Sequence, residues 1–405
     1  MSPDNRPIPG VMDERRRPLI RRPATDSGER PFIVIWEVTR ACDLACLHCR
    51  AEAVPDRHPD ELTTSEGEEL IDQVAAFGTP PPLFVLTGGD PIKRPDLLHL
   101  IEYATARRLP AALSPSATPL LTARAIAEVR AAGAVALSLS LDGDSAAVHD
   151  AFRGIPGVFG RTLAAWEAAQ ACGLKVQINT TVTGTNSMAL PGIAHLVRDR
   201  GAMVWSVFFL VPVGRGATLP QLTAAECEDV LHFLYEVGAA LPVKTTEGHH
   251  FRRIVLQRAM LERQGIAPES VMALGPLYHA LRAALGPWPS GPGRRRSPMD
   301  VNAARGFVFI SHTGTVHPSG FLPLSAGNVR QRPLGELYRE SPLFRALRNP
   351  AAWHGRCGRC EFAAVCGGSR SRAYAATSDP LGDDPLCAYV PGSFAFTEAR
   401  AAVAP

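Results

Sequence analysis

A chain of 405 residues that is 46% apolar and 20% charged has the make-up of a globular protein, long enough for one barrel-sized domain and a smaller one. A net charge of +3 is too small to argue for nucleic acid or membrane as a partner, and no run of about eighteen apolar residues offers a membrane span. Arg21-Arg22 is followed by a polar stretch where a twin-arginine signal needs an apolar one, so a cytoplasmic protein is expected. Nine cysteines fall in one triplet, a C-terminal group and two strays, which fits metal ligation in a reducing compartment better than a disulfide framework.

Residues 1–31, rich in Pro and Arg and without periodicity, are expected to form a disordered arm. From Phe32 strand-like and helix-like runs alternate. The strands are expected at Phe32–Thr39, Leu83–Thr87, Ala111–Ser116, Ala134–Leu141, Lys175–Thr183 and Met203–Val213. Helices are expected at Asp96–Arg108, Thr122–Ala132, Thr162–Cys172 and Ala189–Arg200, with a further one opened by a capping box at Ser65–Glu68. Six βα units with near-continuous apolar strands imply an α/β fold, a parallel sheet covered by helices, open or curled. Helical runs follow at Ala224–Leu241 and Lys244–Arg263, then a flexible Pro/Gly/Arg linker at 286–298 and a β-rich segment at Phe307–Leu322. Cys172 and Cys227 sit in helix-like patterns and are expected to be ordinary buried or half-buried thiols.

Three motifs carry chemistry. Cys42, Cys46 and Cys49 form a C-x3-C-x2-C loop just after the first strand. Three thiolates there can hold three irons of a [4Fe–4S] cube and leave the fourth open to a ligand. Gly88-Gly89-Asp90 ends the second strand; glycines let a backbone approach a ligand closely, though a plain turn reads the same. Cys357, Cys360, Cys366 and Cys387 form a second constellation, whose simplest occupant by donor type is tetrahedral zinc.

The triplet, the Gly-Gly-Asp turn, the stretch Ser138-Leu139-Ser140-Leu141-Asp142-Gly143 and the stretch His149 to Gly154 together resemble the radical S-adenosylmethionine (SAM) superfamily, in its SPASM-type branch. The resemblance covers roughly residues 32–391. It implies a partial (β/α)6 barrel over 32–240, a helical connector and linker over 241–298, a small cysteine-rich SPASM-like domain over 299–391 and a tail at 392–405. It implies that SAM binds the open iron and is cleaved to a 5′-deoxyadenosyl radical, which abstracts hydrogen from a substrate. Carried over residue by residue, Gly88, Gly89 and Asp90 meet the SAM amino group, Asp90 standing where Glu is commoner. Ser140 and Arg153 meet its carboxylate, Ser116 and Asn179 lie near amino-acid and ribose oxygens, and Val211 packs on adenine. The C-terminal cysteines are implied to bind one auxiliary [4Fe–4S] cluster. The SPASM pattern is broken at Arg370, which replaces a cysteine, and no cysteine lies in 310–320, so a first auxiliary cluster is not expected. His312 and His317 are the only nearby substitutes and are not expected to serve.

Residues 357–391 look most like radical SAM enzymes of alternative heme and heme d biosynthesis, which alter tetrapyrrole side chains. For substrate contacts the basic, His-bearing stretch after the sixth strand is the candidate, with Lys244, Glu247, His250 and Arg253 in reach of propionates or an iron; a solvated helix start is the competing reading. A reduced flavodoxin- or ferredoxin-type donor is expected to supply electrons. Two other readings stay open: a maturase of a ribosomally made peptide, for which the residues before the first strand are too few to form a leader-binding domain, and a non-enzymatic zinc-binding module.

Overall fold

The computed structural model describes residues 18–289 and 295–394. Its frame is six parallel strands adjacent in chain order: β1 (Ile33–Thr39), β2 (Leu83–Gly88), β3 (Ala111–Leu113), β4 (Ala136–Ser140), β5 (Lys175–Val182) and β6 (Val204–Phe209). Between them run α1 (Thr64–Ala75), α2 (Leu97–Ala106), α3 (Ala123–Ala131), α4 (Ala146–Arg153), α5 (Val158–Ala171) and α6 (Leu190–Asp199). The strands were expected to be apolar on both faces. Instead β5 alternates strictly: Val176, Ile178, Thr180 and Val182 are buried, while Gln177, Asn179 and Thr181 are half-buried. One face of the sheet is sealed by helices and the inner face is polar and partly open, as a site-bearing half-barrel requires. The sealed face is tightly packed. A Cβ on Gly67 of α1 would come within 2.8 Å of the Trp36 ring, so only glycine lets the helix lie that close.

The cap of α1 is Thr63, not Ser65. Thr63 Oγ1 accepts from Glu66 N and the Glu66 carboxylate accepts from Thr63 N, two residues before the expected box. α4 was not foreseen.

Beyond β6 come α7 (Ala224–Val237), β7 (Val243–Thr246), α8 (Phe251–Arg263) and α9 (Pro276–Leu285). A single helix was expected from Lys244 to Arg263. Its first residues are β7 instead, paired in parallel with β6, because Val243, Thr245 and Thr246 are β-branched and the β6 edge is free to receive them.

The C-terminal region continues the same sheet. β8 (Phe307–Ile310) pairs in parallel with β1, from Ile33↔Phe307 to Trp36↔Ile310, and β9 (Thr315–His317) and β10 (Gly327–Asn328) extend it antiparallel. Among the described residues ten strands form one sheet in the order β10-β9-β8-β1-β2-β3-β4-β5-β6-β7. Four short helices follow, α10 (Leu334–Glu340), α11 (Pro342–Arg348), α12 (Gly355–Arg359) and α13 (Arg370–Thr377).

The arm expected to be disordered is tied down from residue 18 onward. Arg21 bridges Met299 in parallel, Arg21 N donates to Pro298 O at 2.8 Å, and Ser27 O accepts from Gly306 N. Extended backbone beside an open strand-like segment finds partners that composition does not reveal. The linker is anchored on both sides of 290–294, through Trp288 Nε1 to Val237 O and Arg295 Nε to Tyr235 O. Residues 1–17, 290–294 and 395–405 lie outside the described residues. Cys227 is buried in α7 and Cys172 is half-buried at the end of α5, as expected. No helix among the described residues is long and apolar enough to cross a membrane.

Candidate active site

The loop after β1 is built as a rigid cradle. Thr39 Oγ1 donates to the buried Glu61 carboxylate at 2.6 Å and accepts from Ala41 N, and Cys42 N donates to Val54 O. Cys49 N reaches back to Cys46 O, which folds the last turn so that three thiols share one short loop. Leu44 N points at Cys42 Sγ at 3.4 Å, Cys42 Sγ lies 3.5 Å from Ser116 Oγ, and Arg153 Nη1 lies 3.6 Å from Cys46 Sγ. Burial pushes the Cys42 thiol up, and a thiol that binds a metal gives up its proton to do so. Donors aimed at sulfur and a cation beside it suit thiolates that bind an iron–sulfur cube, so the residues present fit that group.

Gly214 and Arg215, just after β6, were missed by the sequence reading. Arg215 holds the cysteine loop through Cys49 O (from its N–H), Cys46 O (3.0 Å) and Ala53 O. Gly214 has φ +54°, and a Cβ there would sit 2.6 Å from Cys49 O and from Arg50 O. The signal was the Gly-Arg-Gly step at a strand end, which reads locally as an ordinary turn.

The expected SAM contacts gather on the same rim. Gly88, Gly89 and Asp90 end β2, Ser116 follows β3, Ser140 ends β4 beside Asn179 of β5, and Val211 follows β6. Two roles change. The glycines serve first to pack the loop: a Cβ on Gly88 would meet Thr39 O at 2.4 Å, and one on Gly89 would meet Ala41 O at 2.5 Å. Asp90 is buried, accepts from Thr118 Oγ1 at 2.7 Å and from Ile92 N, and burial raises its carboxyl. Arg153 already has a carboxylate partner, the fully buried Asp142. Its Nε is buried and unpartnered among the described residues. Ser116 Oγ donates to Gly89 O at 2.7 Å, which ties the third strand to the second.

The four residues proposed for substrate contact separate. Lys244 stays on the inner face of β7. Glu247, His250 and Arg253 are buried where the barrel meets the C-terminal region, so neither an open clamp nor a solvated helix start describes them. The Glu247 carboxylate accepts from Ser319, Ser369 and Ser371, its backbone oxygen accepts from Arg372 Nη1 at 3.0 Å, and its φ is +56°. Arg253 is bound through two nitrogens to Glu228, at 2.8 and 2.7 Å. His250 is buried with Nδ1 3.9 Å from Asp384 Oδ2, and burial lowers it to about 4.

Cys357, Cys360, Cys366 and Cys387 line one pocket, with Arg253 and Arg356 in its wall. Among the described residues no three His, Cys, Asp or Glu side chains close on a point that would hold a single metal ion. All four thiols line the same pocket. Burial pushes Cys360 and Cys366 up to about 11 and Cys387 up to about 12, against the pull of Arg253. Four thiols facing a cationic wall fit a group that takes four thiolates. Arg370, in place of the expected cysteine, turns its Nη1 to Pro380 O and Gly382 O. His312 is bonded to Glu37 and His317 to Leu324 O, and neither lines the cavity.

A parallel half-barrel whose rim carries three clustered thiols defines a class of enzymes that make radicals from SAM. Comparison with known proteins agrees. The family model "Radical SAM superfamily" matches residues 36–195. The chain is 40% identical over 374 residues to the "AdoMet-dependent heme synthase" of Oleidesulfovibrio alaskensis, covering 91% of this chain and 90% of that protein. It is 30% identical to the "Mycofactocin maturase MftC" of Mycobacterium ulcerans, with 93% of each covered. Among solved structures, SuiB of Streptococcus suis bound to S-adenosylmethionine superposes with a TM-score of 0.64 at 15% identity, covering 89% of this chain and 78% of that one. The chain belongs to the radical SAM superfamily. It is an enzyme that uses a [4Fe–4S] cluster, SAM and an external reductant, and its fold is the partial (β/α)6 barrel with a SPASM-like C-terminal extension. The reading as a non-enzymatic zinc module is thereby set aside.

Proposed function

We propose that this enzyme modifies the side chains of a tetrapyrrole. The observation that carries the proposal is the 40% identity, sustained over 91% of the chain, to a protein named AdoMet-dependent heme synthase, against 30% to a peptide maturase.

The [4Fe–4S] cluster, when bound with SAM, supplies the reductive cleavage that yields a 5′-deoxyadenosyl radical. Cys42, Cys46 and Cys49 would hold the cluster, and Arg215 keeps their loop closed. Arg153 would set positive charge beside Cys46 and is oriented for it by Asp142. Ser116, Ser140 and Asn179 present polar groups along the rim to the SAM amino acid and ribose, Gly88 to Asp90 close the rim on the amine, and Val211 offers an apolar surface to adenine. Cys357, Cys360, Cys366 and Cys387 would hold one auxiliary [4Fe–4S] cluster. A buried site ringed by four thiolates has no open iron, so it would pass an electron to or from the substrate. Reduced flavodoxin or ferredoxin is the proposed donor.

The test is anaerobic turnover of the reconstituted, reduced protein with SAM and iron coproporphyrin III, followed by mass spectrometry of the porphyrin. A changed porphyrin mass in step with 5′-deoxyadenosine supports the proposal. An unaltered porphyrin, with a modified peptide from a neighbouring short reading frame, would replace it with the maturase reading.

A further inference from the structure

Lys244 is a cation without a counter-ion among the described residues. Register places it on one rung with Ser206, Asn179 and Ser140, through the pairs Ser206↔Lys244, Asn179↔Ser206 and Ser140↔Asn179. Neighbouring residues of a parallel sheet share a face, so Lys244 projects from the same inner surface as the residues proposed for SAM. Its amine has no hydrogen-bond or ion-pair partner among the described residues. Burial lowers it to about 8, and the charge of Arg296 adds to the fall.

Arg296 and Arg21 are arranged in the same way. Arg21 is fixed along residues 297–300: its N–H donates to Pro298 O, its Nε to Ser297 O at 3.1 Å, and its carbonyl accepts from Asp300 N at 2.7 Å. That pairing sets Arg21 beside Arg296, whose guanidinium is lowered by burial and then by the Arg21 charge. Arg21 Nη2 is buried and unpartnered among the described residues. The acid of this segment, Asp300, is already taken by Arg252 at 2.9 Å and Arg305 at 2.7 Å. The charge of Arg296 is thus felt at Lys244 and that of Arg21 at Arg296, and among the described residues no carboxylate pairs with any of the three. Keeping like charges close and half-buried costs stability, and proteins keep such groups where a ligand supplies the opposite charge.

We propose that Lys244, Arg296 and Arg21 form an anion-binding site at the β7 edge of the barrel, which takes a carboxylate of the substrate. The rung supports this position. From Lys244 to Ser140 is three strand spacings, about 14 Å along the sheet. A planar ligand anchored by an acid at Lys244 therefore reaches the rim where hydrogen is abstracted. The carboxylate identity rests on the tetrapyrrole proposal; the anion site does not.

The test uses the full-length protein with iron coproporphyrin III, which carries carboxylate side chains, and its methyl ester, which carries none. Binding is followed by the porphyrin absorption band. Wild type should prefer the acid. Lys244→Met should weaken the acid by about tenfold or more, the scale of one charge-assisted contact, with the ester unaffected and Lys244→Arg restoring the preference. Equal affinity of wild type and Lys244→Met for the acid overturns the site. Thermal melting gives a second reading: removing an unpaired cation leaves the melting temperature unchanged or raised, whereas a clear fall means that the charge is paired in the fold and the proposal is wrong. If wild type binds neither porphyrin, the tetrapyrrole function fails and citrate decides the site. Stabilisation by citrate at matched ionic strength, lost in Lys244→Met and Arg296→Gln, keeps it. No such stabilisation removes it.

Discussion

Arg153 Nη1 lies 3.6 Å from Cys46 Sγ, although the two residues are separated by three strands of chain. The same guanidinium is bonded to the fully buried Asp142 carboxylate, so one side chain joins the cluster loop to the end of β4.

Arg153→Ala should therefore act on folding as well as on SAM. It strips the cation from a buried carboxylate, a change that costs about 3–5 kcal/mol. Urea unfolding of the metal-free protein measures it, and Asp142→Asn in the Arg153→Ala background should recover part of the loss. A cost under about 1 kcal/mol would mean that the pair is not coupled as described.

Anaerobic reconstitution should give a brown protein with about eight irons, two cubes' worth, and changing Cys42, Cys46 and Cys49 to Ala should leave about half. Iron and sulfide assays decide this. Four irons in the wild type would remove the auxiliary cluster from the proposal.

Cys360→Ala separates the two cysteine sets. SAM cleavage depends on the N-terminal loop and should continue, while product formation should stop. A folded Cys360→Ala protein that lacks the second cluster yet turns over fully would show that the cavity serves neither electron transfer nor structure.

Glu66 supports α1 through the Thr63 cap and pairs with Arg330 at 2.6 Å, and the Arg330 hydrogen bond holds its carboxyl down at about 2. The folded value lies below the usual 4.5, so this support is present above about pH 4.5 and fades as pH falls toward about 2. Glu66→Ala should cost on the order of 1 kcal/mol at neutral pH, the modest figure reflecting an exposed pair, and progressively less as pH falls through about 2. A loss that persists at low pH would show that the cap does not depend on the Glu66 charge. Denaturant midpoints across that range read it directly.

Where sequence carried the reading, the interactions were local. The cysteine spacing and the Gly-Gly-Asp turn each lie within a few residues, and six strands were found within a few residues of their ends. The failures depended on distant partners. β7 looked helical because its β-branched residues find their strand only across the β6 edge. Glu247 looked exposed because the serines that satisfy it, Ser369 and Ser371, lie about 120 residues further on. The packing role of Gly88 and Gly89 needed the β1–β2 distance, and the hold of Arg215 on the cysteine loop needed the β6 end folded over that loop. Residue types named the chemistry, but only the fold could tell Lys244, a cation with no partner among the described residues, from Arg253, already paired with Glu228.

The pairing of β8 with β1 sets a limit on how this chain can be divided. β1 delivers the cysteine loop, and its outer edge is covered only by a strand some 270 residues away. Cutting the chain between the barrel and the cysteine-rich region would bare a hydrophobic run of unpaired amides and carbonyls along Ile33–Trp36, an invitation to intermolecular strand addition. A truncated barrel should therefore precipitate rather than survive as a minimal SAM-cleaving unit. During synthesis the strand that leads into the cysteine triplet stays half-paired until most of the polypeptide has emerged.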